Sequence, residues 1–393
     1  MISRGTVRRA STPEPDFNTD ARKPWPGRKT KTRKMAPLEE IVDITGRLIR
    51  FASTHDRPEE IRKCVLFVSD WLKSHGIRHH CHDHGGYLSL AVMPESNHVP
   101  VLLMTHLDVV DAPRQLFTPR REGDILWGRG SIDDKYAVAL SLVMLKEFLA
   151  AKPQAWPLGL LITSDEEIGG QNGAARMLPA IGTQFGIALD GGAPDRIIVK
   201  EKGILKIRLR ATGISAHGSR PWLGKNAIDI LIEDIMAIKG LFEYDPDDSL
   251  HWHRTCNVGL IKGGKAANQV PDRAEAVLDV RFTENDDPDK LVAQMQALVK
   301  GKLEEQARAQ MFISLGSEYL ELLRRCVPEA TLEAEHGSSD ARYLTPLGID
   351  GVVWGADGRM SQHSDREHVL IPSIGLLYKR LAGFIRKVAE AGL

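Results

Sequence analysis

Three short apolar runs in this chain each end on residues that can hold a proton or a metal ion. Val101–Thr105 runs into His106-Leu-Asp108, Leu158–Thr163 into Ser164-Asp-Glu-Glu167, and Phe185–Leu189 into Asp190-Gly-Gly192. Continuous apolar runs bounded by turn residues read as strands buried on both faces, and such strands belong to parallel sheets flanked by helices. In open α/β sheets ligands bind beyond the carboxyl ends of the strands. The pattern therefore predicts one sheet edge at which these polar groups converge.

Apolar residues at helical spacing over 38–52, 57–75 and about 134–150 interleave with these runs and with a further run at Tyr87–Met93. That alternation predicts an α/β sheet covered on both faces. Near residue 200 the rhythm changes. Gly203–Ala211 and Arg273–Phe282 alternate like strands with one exposed face, while Asn226–Leu241 and Pro288–Val299 read as helices. About a hundred residues thus form an inserted α+β unit. The α/β pattern then returns with a helix at 317–326, a strand at Gly351–Trp354 and a closing helix from about Ile374.

Several residue groups invite a chemical reading. Gly128–Lys135 adds two carboxylates on a glycine-rich turn before a helix. His106 and Asp108 face the same side if the strand continues through them. Asp108 would then accept the second imidazole N–H and fix the tautomer, a satisfied polar pair at a strand end being the alternative. Glu166 and Glu167 are adjacent carboxylates that repel, so one is expected to find a cation or keep a proton. A solvated acidic loop is the alternative there. His79-His-Cys-His-Asp-His84 has the composition of a metal site but lacks zinc-finger spacing and a second cluster. It reads as a polar turn between a helix and a strand.

Taken in order, HLDVV, GRGSIDDK, SDEEIGG, LDGG, SAHGSRP and QHSDREHV resemble the M20 family of metallopeptidases, from about residue 38 to the C terminus. The resemblance implies a zinc-peptidase-like α/β domain with a mostly parallel mixed sheet over residues 36–200 and 311–393. It implies a ferredoxin-like α+β lid and dimerisation domain over 201–310. Two divalent ions follow, Zn2+ first and Co2+ or Mn2+ as alternatives: His106 and Asp190 on one, Glu167 and His363 on the other, Asp133 bridging. Asp133 is preferred to Asp134 because it holds the sixth position of GRGxxD, and the peptide after it is often cis in relatives. Glu166 would be the general base and Asp108 the orienting partner of His106. His217 would reach the active site of a partner subunit and stabilise the oxyanion, which makes the working enzyme a homodimer. Asn268 and Arg281 match substrate-contacting positions, a surface strand pair being the alternative for Arg281. Gly337–Arg342 resembles a deacylase loop in which Ser339 and Arg342 line the substrate pocket. A helix N-cap is the simpler account of Ser338 or Ser339.

The donor types suit this chemistry, because two imidazoles with carboxylates fit zinc better than Ca2+ or Mg2+. The metals would lower the pKa of a bridging water, and Glu166 would take its proton. The hydroxide would attack the carbonyl, and Glu166 would pass the proton to the leaving nitrogen. By resemblance, Asp at 190 and Glu201-Lys-Gly203 point to a dipeptidase, whereas the GSSDAR loop points to an N-acyl-amino-acid deacylase. The reading adopted is a dipeptidase acting on a small peptide, with the deacylase acting on an N-acyl amino acid as the alternative. A non-catalytic binding member is a further alternative, disfavoured by the complete ligand set together with Glu166.

Charge and composition exclude other classes. The 52 basic and 52 acidic residues balance, so no net field gathers nucleic acid or anionic lipid. No apolar run approaches the roughly 18–20 residues that span a bilayer. Residues 1–35 carry ten Lys and Arg against three Asp and Glu and read as a disordered basic segment. They have no apolar stretch of a secretory signal, and Met35 is read as the start. A transit peptide and a basic nucleic-acid arm are the alternatives. Cys64, Cys81, Cys256 and Cys326 are far apart, which predicts a reducing, cytoplasmic setting.

Overall fold

The computed structural model describes residues 36–151, 156–244 and 250–393. The expectations for residues 1–35 lie outside the described residues.

The apolar runs pair side by side. His98–His106 lies between Leu158–Thr163 and Gly182–Ala188, parallel to both, and Asp350–Val353 pairs parallel to Gly182–Ala188. Tyr87–Val92 adds antiparallel to Leu158–Thr163. Arg196–Glu201 follows Asp350–Val353 and pairs parallel to Thr331–Glu335. The result is a mixed sheet of nine strands among the described residues. Its four central strands are parallel, so their carboxyl ends share one edge.

Both faces are covered. Leu102, Met104 and Leu161 pack with Ala174, Met177 and Leu344 of short helical segments on one side. On the other, Phe185 stacks against Tyr319 and meets Phe384 of the helices Glu318–Cys326 and Ile371–Ala391. The helix Lys135–Ala150 is buried on every side over its first eleven residues, Lys135 to Leu145. Its sequence is accordingly apolar all round rather than striped. No helix among the described residues is long and apolar enough to cross a membrane.

A second sheet is built from Gly203–Thr212, Thr255–Gly263, Arg273–Phe282 and Lys302–Ala309, all antiparallel. The helices Ala227–Lys239 and Pro288–Leu298 complete the order β-α-β-β-α-β. Strict alternation buries Leu205, Ile207 and Leu209 opposite Ala276, Leu278 and Val280, beneath Leu231 and Met295 of the two helices.

Two local expectations are corrected. His80–His84 is an edge strand paired with Tyr87–Val92, not a turn. The hairpin at Gly85 and Gly86, both at positive φ, returns the chain only after His84. The central strand ends at His106, so Asp108 meets that residue from the loop beyond rather than from the same strand face.

Candidate metal centre

His106, Asp133, Glu167, Asp190 and His363 converge at the carboxyl edge of the parallel strands. His106 ends the strand His98–His106 and Asp190 lies two residues beyond Gly182–Ala188, while Glu167 sits on the 3-10 turn Glu166–Ile168 after Leu158–Thr163. Asp133 stands at the end of the glycine-rich turn, directly before the helix at Lys135, and the Asp133–Asp134 peptide is cis. The Asp133 carboxylate lies between the two imidazoles. One oxygen is 3.0 Å from His106 Nε2 and the other is 3.0 Å from His363 Nε2. Asp190 is 3.6 Å from His106 Nε2, and Glu167 is 3.2 Å from His363 Nε2.

Two groups able to hold a metal ion result, His106–Asp133–Asp190 and Asp133–Glu167–His363, sharing Asp133. Two features fit a cation there. His106 Nε2 and Asp133 Oδ1 are buried without a hydrogen-bond partner, a costly state for polar atoms unless something else satisfies them. The field is also strongly negative. Burial opposes a charge on His106, yet the carboxylates of Asp108, Asp133 and Asp190 that face it hold its imidazole well above the ordinary value. Hydrogen bonds with Asp133 and Glu167 push His363 up to about 10. Burial raises Asp190 and Glu167, with the Asp133 charge adding to it. Burial also acts on Asp133, but its two histidines outweigh it and hold that carboxyl low.

The surrounding residues fix these groups. His106 Nδ1 lies 3.0 Å from the Asp108 carbonyl and 3.4 Å from its carboxylate. Nδ1–H is thereby engaged, which leaves the Nε2 lone pair facing Asp133 and Asp190. The other Asp108 oxygen accepts the Glu167 backbone N–H at 3.0 Å, so Asp108 ties two ligand-bearing loops together. Asp134 turns away from the cluster, and its Oδ2 accepts the His106 backbone N–H at 3.3 Å. Asp165 holds the Glu166–Glu167 turn by accepting the N–H groups of Asn172 and Gly173.

Glu166 is outside both groups. Its carboxylate lies 3.5 Å from Arg342. Burial raises its pKa well above the ordinary value, and Arg342 only partly offsets this. Ser339 caps the turn Asp340–Tyr343, as the N-cap reading expects. Its N–H and Oγ also donate to Glu201 at 3.0 and 2.9 Å. Burial pushes the Glu201 carboxyl up to about 7 despite those two bonds.

Three expected site residues lie elsewhere, on the second sheet or its loops. Arg281 is in bidentate contact with Asp279 on its own strand, at 2.6 and 3.1 Å. Asn268 holds the Gly218 N–H through its carbonyl. His217 is bridged to Gln269, and its Nδ1 accepts the Ser219 N–H at 3.1 Å.

Sequence reasoning passed over Arg129 and Glu367. Both are fully buried and form an ion pair. Glu367 Oε1 also accepts the Gly130 N–H at 2.7 Å, and Arg129 Nη2 donates to the His363 carbonyl at 3.1 Å. Each lies within a motif already singled out, but a charge in such a motif reads as solvated until its burial is known.

Residues 102–387 match the model for peptidase family M20/M25/M40. The chain belongs to this family. Among curated relatives, a probable carboxypeptidase of Aspergillus clavatus is 30% identical over 269 residues, 62% of this chain and 64% of its own length. Another, from Aspergillus terreus, is 34% identical over 193 residues, 46% of this chain and 44% of its own length. The chain spans about half the length of most curated relatives it matches. Among solved structures, aminopeptidase PepT from Bacillus cereus covers 90% of this chain and 99% of its own, with TM-score 0.71 at 22% identity. Human carnosine dipeptidase 1 covers 90% of this chain and 96% of its own, with TM-score 0.70 at 14% identity. At such identities these structures speak for the family fold alone.

Proposed function

We propose that the chain is a two-metal hydrolase, most suited to zinc, that cleaves the amide bond of a small peptide as a dipeptidase. The observation that carries this is the Asp133 carboxylate set between two imidazoles, each backed by a further carboxylate. His106 and Asp190 would hold one ion, Glu167 and His363 the other, with Asp133 shared. Two dications held there would supply Lewis acidity and lower the pKa of a bound water.

The protein's own groups do the rest. Glu166, buried beside Arg342, holds a proton more readily than an exposed glutamate and would move it from water to the leaving nitrogen. Asp108 keeps His106 in the tautomer that presents Nε2. The Ser219 N–H occupies His217 Nδ1, which leaves Nε2–H free to donate to a developing oxyanion. In this reading His217 serves a partner subunit, in a homodimer formed through residues 201–310. Exposed Ile232 and Met236 on the helix Ala227–Lys239, with Leu260 and Ile261 on the edge strand Thr255–Gly263, support that face as the contact. A cytoplasmic setting accords with four unpaired cysteines. Asn268 and Arg281 would contact substrate, Arg281 by exchanging Asp279 for a substrate carboxylate.

Asp at position 190 favours the dipeptidase. A second reading, an N-acyl-amino-acid deacylase, is favoured by the Gly337–Arg342 loop, which brings Arg342 against Glu166 and would line the pocket with Ser339 and Arg342. The curated relatives bear the name carboxypeptidase, so longer peptides belong in the same assay. Dipeptides, longer peptides and N-acetyl or N-succinyl amino acids should be compared with the zinc-loaded protein. Turnover of the acyl series alone would overturn the dipeptidase. Glu166→Gln should abolish hydrolysis while two metal equivalents remain bound, and surviving hydrolysis would refute the role of Glu166.

A further inference from the structure

His363 is held differently from the other four residues of the cluster. His106 ends a central strand and is almost fully buried, whereas the His363 side chain is 53% exposed on a loop. That loop is also in an uncommon backbone conformation. Arg359, Met360 and His363 have φ of 52°, 56° and 61°, in the left-handed region that side chains with a Cβ seldom adopt. Such a conformation persists only where its surroundings over-determine it.

The surroundings that do so are few. Among the described residues, the main chain of His363 bonds outside its own loop only to Arg129, whose Nη2 donates to its carbonyl at 3.1 Å. The Arg129 guanidinium is itself fixed by its buried ion pair with Glu367. Glu367 returns to the other side of the centre. Its Oε1 accepts the N–H of Gly130 at 2.7 Å and of Ile132 at 3.5 Å, and its carbonyl accepts the N–H of Gly128 at 3.0 Å. One carboxylate thus grips the turn that carries Asp133, and its arginine partner grips the loop that carries His363. Asp133 has a second anchorage at the start of the helix Lys135–Ala150, where the Asp134 carbonyl accepts the Ala137 N–H at 3.0 Å. His363 has none.

We propose that Arg129 and Glu367 are positioning residues that set His363 against Asp133, so that the Asp133–Glu167–His363 group depends on them and the His106–Asp133–Asp190 group does not. The inference rests on the two-metal reading. A lysine at 129 keeps the charge but cannot reach both Glu367 and the His363 carbonyl, because the guanidinium fork is what spans them. A glutamine at 367 keeps an acceptor for Gly130 and loses the charge that orients Arg129.

The test is Co2+ uptake by metal-free protein, followed by calorimetry and by visible absorption of the bound ion. Wild type should take up two equivalents. Glu367→Gln and Arg129→Lys should each weaken one equivalent by about tenfold or more and leave the other within about threefold, the loss common for residues that orient ligands. The weakened equivalent should be the one absent from His363→Ala. Val388→Ala, a packing change in the helix Ile371–Ala391, should weaken neither. Two equivalents in wild type with both or neither weakened in the clamp variants would overturn the clamp and leave the two-metal reading standing. The same loss in Val388→Ala would also overturn the clamp. Fewer than two equivalents in wild type would overturn both.

Discussion

Replacing Glu201 by glutamine should stabilise the metal-free protein at neutral and alkaline pH. Glu201 is 2% exposed, and among the described residues its carboxylate accepts only the N–H and hydroxyl of Ser339. Burial raises its pKa from 4.5 to about 7. Below pH 4.5 the residue is protonated in the folded and unfolded chains alike and imposes no penalty. Between 4.5 and 7 the unfolded chain loses the proton while the folded one retains it, so stability falls as pH rises. Above 7 both are ionised and the full penalty stands. At about 1.4 kcal/mol per pH unit, the gap amounts to about 3 kcal/mol. A glutamine carbonyl can accept from both Ser339 groups and never ionises. Urea unfolding in the presence of a chelator, at pH 5, 6, 7 and 8, should show Glu201→Gln near wild type at pH 5. Its advantage should grow to about 1–3 kcal/mol at pH 8. A variant less stable than wild type at pH 8, or a difference that does not vary with pH, would refute the reasoning.

Asp350 should behave in the opposite sense. Burial opposes its charge, but hydrogen bonds from Ser317, Ser314 and Leu315 outweigh it and hold the carboxyl below its ordinary value. That contribution is present above the unfolded pKa of about 3.9 and is lost as pH falls through the folded value. Asp350→Asn should therefore cost about 1–2 kcal/mol at pH 7 and progressively less in acid, read from denaturation midpoints against pH. Gly213→Ala should destabilise by about 2–3 kcal/mol, since a Cβ there would lie 1.9 Å from the Lys225 carbonyl oxygen and 2.9 Å from the Ala227 nitrogen. A melting temperature equal to wild type would show that this crossing can open. If the proposed homodimer forms through this face, Met236→Glu combined with Leu260→Glu should convert it to monomers by light scattering; a wild type that is monomeric would refute the homodimer, and a dimer that persists in the variant would refute this face as its contact.

Much of the fold was legible because its signals are local. The run Leu158–Thr163 coincides with its strand, and the alternation over Arg273–Phe282 with its own, because full and half burial leave different periods in the residues. The convergence of His106, Glu167 and Asp190 followed from three strand ends sharing one edge. His80–His84 was misread because an exposed edge strand needs no apolar residue, and polarity alone resembles a turn.

What the residues by themselves determined is the inventory: which strands are buried, where each ends, and which proton- and metal-holding groups stand at those ends. Only the tertiary structure decided how that inventory is shared. It set Asp133 between His106 and His363, turned Asp134 to the His106 backbone, and gave Asp108 to two loops at once. It also buried Glu201, Arg129 and Glu367. The physical reason is that the strength of a charge depends on its distance from other charges and from water, and residues 238 positions apart, as Arg129 and Glu367 are, acquire both only when the chain closes.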